Sequence, residues 1–184
     1  MQDIKTSIEH LLQSTGRSGI DDLLCWMDKN GFYDAPCSSK YHLAKPGGLA
    51  EHSLNVFQTA MELTKSIYFT HNKELTFAFI DSVVICALLH DLGKAGQFGK
   101  PNYAPDPDLP FDSYVTNKEL LYIPHEVRSI AIASRFILLT EEEQFAILYH
   151  NGLYGELKSI KGNETPLYMI LHFADMWASR VIED

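Results

Sequence analysis

Two adjacent polar residues, His90 and Asp91, follow the most apolar stretch of the chain, which runs from Val83 to Leu89. At this position neither an imidazole nor a carboxylate contributes to apolar packing, and a buried aspartate without a partner is costly. A divalent cation is one suitable partner, because imidazole and carboxylate groups are both common metal ligands. The pair alone leaves a second interpretation open, in which His90 packs in the core and Asp91 caps the following Gly-rich turn.

The composition restricts the function classes. The chain has 184 residues and a formal net charge of −9, and its 15 Lys and Arg residues are scattered, which argues against duplex nucleic acid as a partner. Bound cations would still allow an anionic substrate. The three cysteines form no CxxC pair, and no apolar segment is long enough to span a bilayer. We therefore expect a cytoplasmic protein without a membrane segment.

The spacing of apolar residues predicts an all-α fold in which several candidate ligands lie near helix ends. Two glycines separate two short N-terminal helices, and the helix that begins at Leu49 carries His52 near its first turn. A capping box at Thr140 to Glu143 predicts the start of another helix. The predicted helical segments are 4–12, 20–27, 49–68, 74–92, 125–138, 141–150 and 166–181.

The segment between Gly93 and Pro124 is dense in proline and glycine, so it predicts a long loop rather than a helix. Within it, residues 113–116 and 120–123 flank Asn117-Lys118-Glu119 and predict a short β-hairpin in the loop 112–123.

The run Leu88-Leu89-His90-Asp91-Leu92-Gly93-Lys94 resembles the signature of the HD-domain metal-dependent phosphohydrolase superfamily. Gly47 to His52 resembles its earlier histidine element, Leu171 to Asp175 resembles its closing aspartate element, and Pro124 to Gly152 looks like small stand-alone HD proteins of bacteria and their phages. The resemblance implies an all-α HD-domain helical bundle. We expect a single domain over residues 1–184, with an N-terminal helical extension at 1–40 and the HD core at 41–180.

The resemblance also implies a set of metal ligands. The first ion would be bound by His52, His90, Asp91 and Asp175. In branches that hold two ions, two further histidines match His125 and His150, and Asp91 would bridge the ions. Mixed nitrogen and oxygen ligands suit Mn, Fe, Co, Ni or Zn, and Mg is also compatible although it prefers oxygen ligands.

By the same resemblance, Asp91 and Lys94 are the catalytic residues, and Lys94 would contact the substrate phosphate. Arg128 lies one turn after His125, where its guanidinium group would face the same cleft and bind phosphate. His42 precedes the Gly-Gly turn and is a further candidate for substrate contact. Three tyrosines in or beside the long loop are candidates for stacking a base: Tyr103, Tyr114 and Tyr122.

The predicted function is hydrolysis of a phosphoester in a nucleotide or short oligonucleotide by metal-activated water, as a phosphatase or phosphodiesterase. Two alternatives are a non-catalytic HD module with a signalling or partner-binding role and a di-iron oxygenase on the same fold. Retention of every ligand argues against the first alternative. An oxygen-dependent product and bound iron would favour the second.

Overall fold

The computed structural model describes residues 2–106, 108, 113–152 and 162–183. The described residues are mainly helical and include two short strands. The α-helices are α1 (Gln2–Ser14), α2 (Ile20–Lys29), α3 (Gly48–Thr70), α4 (Phe77–Leu89), α5 (His125–Ala133), α6 (Glu141–Tyr149) and α7 (Pro166–Trp177). A 3-10 helix follows α4 at Leu92–Ala95, and a π-helical turn follows α7 at Ala178–Ile182. The predicted all-α bundle is confirmed, and none of the described helices is both long and apolar enough to cross a membrane.

Helix α4 is the central element of the core. All its side chains from Val83 to Leu89 are buried, and the helix contacts α1, α3, α6 and α7. A helix that is apolar on every face is stable only when other helices surround it, because each exposed face would leave apolar surface in water. This packing fixes the end of α4, where His90 and Asp91 lie.

The N-terminal helices contribute to the same core through Ile8 and Leu12 of α1 and Leu23 of α2. Between them, Arg17 forms an ion pair with the fully buried carboxylate of Glu143 in the first turn of α6. Ser82 Oγ and the backbone N–H of Thr140 also donate to this carboxylate, at 2.7 and 2.8 Å. The segment before α3 is therefore joined to α6 by a buried polar network.

Several predicted helix boundaries are confirmed, and others required correction. Thr140 and Glu143 form the predicted capping box, and Pro166 is the first residue of α7. Helix α4 begins at Phe77 instead of 74, because Thr76 caps it by accepting from the backbone N–H of Phe79. The predicted helices 125–138 and 166–181 end earlier, at 133 and 177, and turns of other geometry follow them.

The long loop contains a β-hairpin, as predicted, but one of its two strands was assigned wrongly. Strand β2 (Tyr114–Thr116) pairs antiparallel with β1 (Tyr103–Pro105), not with residues 120–123. After β2, the Asn117 side chain accepts from the backbone N–H of Glu119 and forms a turn. The Leu121 carbonyl accepts from Arg128 Nη2 at 3.1 Å, so this segment approaches α5 instead of pairing with β2.

Candidate metal centre

The six residues predicted as metal ligands lie close together, although they come from five helices. His52 is the fifth residue of α3, and His125 is the first residue of α5. His90 and His150 are the C-cap residues of α4 and α6. The two acidic members are Asp91, which directly follows His90, and Asp175 on α7.

Asp91 lies at the centre of this group, and its two carboxylate oxygens face different histidines. Oδ2 is 3.6 Å from Nε2 of His52 and 3.4 Å from Nε2 of His90. Oδ1 is 3.1 Å from Nε2 of His125 and 3.6 Å from Nε2 of His150. Asp91 makes no side-chain capping hydrogen bond, so the alternative in which it caps the following turn is wrong.

Three overlapping sets of side chains in the described part of the chain have ligand atoms close enough to bind a metal ion, and one of them, Cys37, His42 and His52, lies on the outer side of His52. In the second set, His52 Nε2 is 3.3 Å from both His90 Nε2 and Asp175 Oδ1. The third set contains His90, Asp91 and His150. Within each set all ligand atoms lie within 4.8 Å of one another.

The ring orientations of His90 and His150 also suit metal binding. Each ring contacts a backbone carbonyl of its own helix through Nδ1: His90 contacts Ala87 at 2.9 Å and His150 contacts Ile147 at 2.7 Å. These contacts assign the ring proton to Nδ1, which leaves the lone pair of Nε2 directed toward Asp91. Burial lowers the pKa of His90, which favours the neutral imidazole that metals require. Burial alone would also lower the pKa of His52 and His150, but nearby acidic groups outweigh it and raise both, so metal binding there would release protons.

Lys94 brings a positive charge into the centre, because its Nζ lies 2.6 Å from Asp91 Oδ2. Burial alone would lower the pKa of Lys94, but the adjacent Asp91 carboxylate outweighs burial and raises it. Burial alone would likewise raise the pKa of Asp91, yet Lys94, His90 and His125 hold it well below its ordinary value. Both groups are therefore charged at neutral pH.

The donor set fits divalent ions. Asp91 Oδ1 is buried and lacks a hydrogen-bond partner within the part of the chain that the structure describes, although His125 and His150 nitrogens lie nearby. A buried carboxylate oxygen in this position is costly unless a cation or another donor satisfies it. Neutral imidazole nitrogens combined with carboxylate oxygens are ligands suited to first-row transition metals.

A further group of residues, which the sequence patterns did not indicate, surrounds His52. Glu183 Oε2 lies 3.0 Å from His52 Nδ1, and Asn55 Nδ2 donates to Glu183 Oε1 at 2.9 Å. Cys37 Sγ is 3.4 Å from His42 Nε2, and burial raises the pKa of the Cys37 thiol to about 11. The His42 ring centroid is 5.0 Å from that of His52, so His42 neighbours the cluster, and its contact with substrate stays a prediction.

Arg128 has different partners from those expected. It is buried, and its Nη1 donates to Asn102 Oδ1 at 2.8 Å while its Nη2 donates to the Leu121 carbonyl. The guanidinium group thus links α5 to both sides of the long loop. The residue is on the expected side of α5, but the loop occupies its two terminal nitrogens.

A cleft of about 940 Å³ adjoins the cluster at His125. One wall contains His125 and Asn151, whose Nδ2 is 3.3 Å from His125 Nε2. The hairpin and the segment after it also line the cleft, with Tyr103 and the exposed Tyr122. The cleft is large enough for a small ligand and opens beside the histidine cluster.

A helical bundle with this His and Asp cluster corresponds to the HD domain, and the chain belongs to that family: the HD domain model matches residues 49–175. HD-domain proteins are generally hydrolases. A curated relative, the 3′-5′ exoribonuclease YhaM of Geobacillus sp., is 30% identical over 149 residues. The match covers 78% of this chain and 41% of the relative. No solved structure shows significant similarity.

Proposed function

We propose that the protein is a metal-dependent phosphohydrolase, a phosphatase or phosphodiesterase that acts on a nucleotide or short oligonucleotide. The main supporting observation is that the two oxygens of the Asp91 carboxylate face different pairs of histidines. Oδ2 faces His52 and His90, and Oδ1 faces His125 and His150. This arrangement suits a carboxylate that would contribute one oxygen to each of two ion positions, as in two-metal phosphoester hydrolases.

In this proposal His52, His90 and Asp175 bind one ion, His125 and His150 bind the other, and Asp91 contacts both. When bound, divalent ions would activate water and neutralise phosphoryl oxygens. Lys94 would exchange its contact with Asp91 for one with a phosphate oxygen. We also propose that His42 contacts the substrate, and that Arg128 contributes to substrate binding by holding the loop that borders the cleft.

The proposed substrate class rests on the cleft and the relative. The cleft volume, about 940 Å³, accommodates a nucleotide, and Tyr103 and Tyr122 line the cleft, where they would face a base. The curated relative is an exoribonuclease by name, which supports a substrate with a nucleoside attached to phosphate. The negative net charge is compatible with this because bound cations reverse the local field.

Metal removal and replacement tests the proposal. We expect the chelator-treated protein to lack hydrolytic activity, and Mn²⁺ to restore it on nucleoside monophosphates, cyclic nucleotides or short oligonucleotides. An ion present at 100 times its Kd should also stabilise the folded state by about 2.7 kcal/mol, measured by denaturant titration. Phosphoester cleavage without oxygen would argue against an oxygenase. Absence of both stabilisation and cleavage with Mn²⁺, Fe²⁺, Co²⁺, Ni²⁺, Zn²⁺ and Mg²⁺ would contradict the proposal.

Replacement of Lys94 should separate metal binding from hydrolysis. We expect Lys94→Gln to lower kcat by about 10²-fold, since it removes a charge placed to stabilise the developing negative charge on phosphate. Metal affinity should be equal or higher, because the ammonium group that competes for Asp91 Oδ2 is gone. Isothermal titration with Mn²⁺ beside steady-state kinetics measures both quantities, and the exposed Lys65→Gln serves as the matched control. Weaker Mn²⁺ binding with unchanged kcat would exclude this role.

A further inference from the structure

The histidines of the metal centre differ in the group that accepts a hydrogen bond from Nδ1, the ring nitrogen that faces away from the centre. His90 and His150 lie at helix C-termini, where the last carbonyls have no partner within the helix and can accept from Nδ1. His52 lies near the N-terminus of α3, where the helical carbonyls are used by the backbone of the following turn. The Nδ1 of His52 therefore needs an acceptor from outside its own helix.

Glu183 supplies that acceptor. Both of its carboxylate oxygens lie 3.0 Å from His52 Nδ1, and both side chains are almost completely buried. Asn55, one turn after His52 on α3, donates to Glu183 Oε1 at 2.9 Å and fixes the carboxylate. Among the described residues, the basic side chain nearest to Glu183 after His52 is His42, at 3.9 Å.

The chain reaches this position through an unusual turn. After α7 ends at Trp177, residues Ala178–Ile182 form a π-helical turn, and the backbone N–H of Glu183 donates to the Ala178 carbonyl at 3.1 Å. Turns of this kind are rare and occur often at functional sites. Asp175 and Glu183 come from this one C-terminal segment, and they contact opposite ring nitrogens of the same His52.

We propose that Glu183 is a positioning residue for metal binding: it accepts the Nδ1 proton of His52 and thereby holds the Nε2 lone pair toward His90 and Asp175. The inference rests on the proposed metal site. The HD domain match ends at Asp175, so Glu183 lies outside the matched residues. A carboxylate behind a ligating histidine fixes the tautomer and raises the basicity of the other nitrogen.

The test compares Glu183→Ala and Glu183→Gln in the full chain, with the exposed Glu62→Ala on α3 as the matched control. We expect Glu183→Ala to weaken Mn²⁺ binding by about 10–100-fold in isothermal titration, the range for such supporting residues. Glu183→Gln should retain more of the affinity, because its amide oxygen still accepts the Nδ1 proton. Burial alone would lower the pKa of His52, but nearby acidic groups outweigh burial and raise the pKa well above its ordinary value, so the tautomer is read at a pH high enough to make the ring neutral. There, ¹⁵N NMR of the metal-free protein should show His52 protonated at Nδ1 in the wild type and as mixed tautomers in Glu183→Ala.

Two results would overturn the proposal: unchanged Mn²⁺ affinity in Glu183→Ala, or weaker affinity and a lower melting temperature with an unchanged His52 tautomer. If Glu183→Ala does not fold, Asn55→Ala replaces it. This variant removes the hydrogen bond to Glu183 Oε1 and should weaken Mn²⁺ binding several-fold, and unchanged affinity would again overturn the proposal. Weaker binding in the variants, combined with a wild type that cleaves no phosphoester, would support the role of Glu183 and refute only the proposed hydrolysis.

Discussion

Asp91→Asn is expected to lower metal-dependent hydrolysis by at least about 10³-fold, well beyond the 10–100-fold effects of residues that only support a ligand. The reason is that one carboxylate faces histidines on both sides, through Oδ2 toward His52 and through Oδ1 toward His125. An amide has the same shape but is neutral, and its nitrogen donates hydrogen bonds instead of accepting them. Both proposed ion positions should lose affinity together.

Metal analysis and Mn²⁺ titration measure this result beside kcat, and circular dichroism reports whether the variant is folded. Asp22→Asn is a matched control, because this aspartate is exposed on α2. The metal-free Asp91→Asn protein should also melt at a lower temperature than the wild type, since Lys94 loses its charged partner at 2.6 Å. Activity at the wild-type level in a folded Asp91→Asn protein would exclude the proposed mechanism.

Arg17→Met should give the largest loss of stability among the changes considered, about 3 kcal/mol in the free energy of unfolding. Glu143 is fully buried, and without Arg17 its carboxylate retains only the hydroxyl of Ser82 and the backbone N–H of Thr140 as donors. Removing one partner of a buried ion pair typically costs about 3–5 kcal/mol, and the partial exposure of Arg17 places the estimate at the lower end. Denaturant titration measures the change, with Lys65→Met as the matched control.

The pH dependence provides an independent check. Burial alone would raise the pKa of Glu143, but hydrogen bonds from Arg17, Thr140 and Ser82 outweigh it and lower the pKa below its ordinary 4.5. A carboxylate with a lowered folded-state pKa stabilises the protein above the unfolded pKa and loses this contribution on acidification. The deficit of Arg17→Met should therefore narrow below about pH 4.5. A deficit below 0.5 kcal/mol at neutral pH, about the size of an exposed pair, would contradict the assignment.

This network also bears on domain organisation. Arg17 lies between α1 and α2, in the segment before residue 41, and its partner Glu143 lies on α6. We propose that the N-terminal helices fold together with the HD core as one unit over residues 1–184. A large effect of Arg17→Met on a single cooperative unfolding transition would support this proposal.

Features encoded by neighbouring residues could be predicted from the sequence. The apolar run before His90 gave the buried helix α4, and Thr140 to Glu143 gave the start of α6, because each pattern acts within one or two turns. The hairpin was only partly predictable. Strand 114–116 was recognised, but its partner was not, since pairing with 103–105 depends on how the intervening chain closes.

In the site, too, locally encoded features could be predicted and long-range contacts could not. The six proposed ligands were found from their motifs, but Glu183 was not, because its contact with His52 spans 131 residues and has no local signal. Arg128 lies on the expected side of α5, yet spacing alone does not reveal that Asn102 and Leu121 occupy its guanidinium group. Side chains that act across the fold need the tertiary structure to be recognised.

The positions of His90 and His150 at the C-termini of α4 and α6 have an electrostatic consequence. Aligned peptide dipoles leave about half a negative charge at the C-terminal end of a helix, and cations are favoured within the last turn. Two helices therefore direct their negative ends toward the same point, and the positive N-terminal end of α5, at His125, opposes part of this effect. Unlike the imidazoles and carboxylates, peptide groups do not titrate, so this part of the attraction for a cation persists as the pH falls.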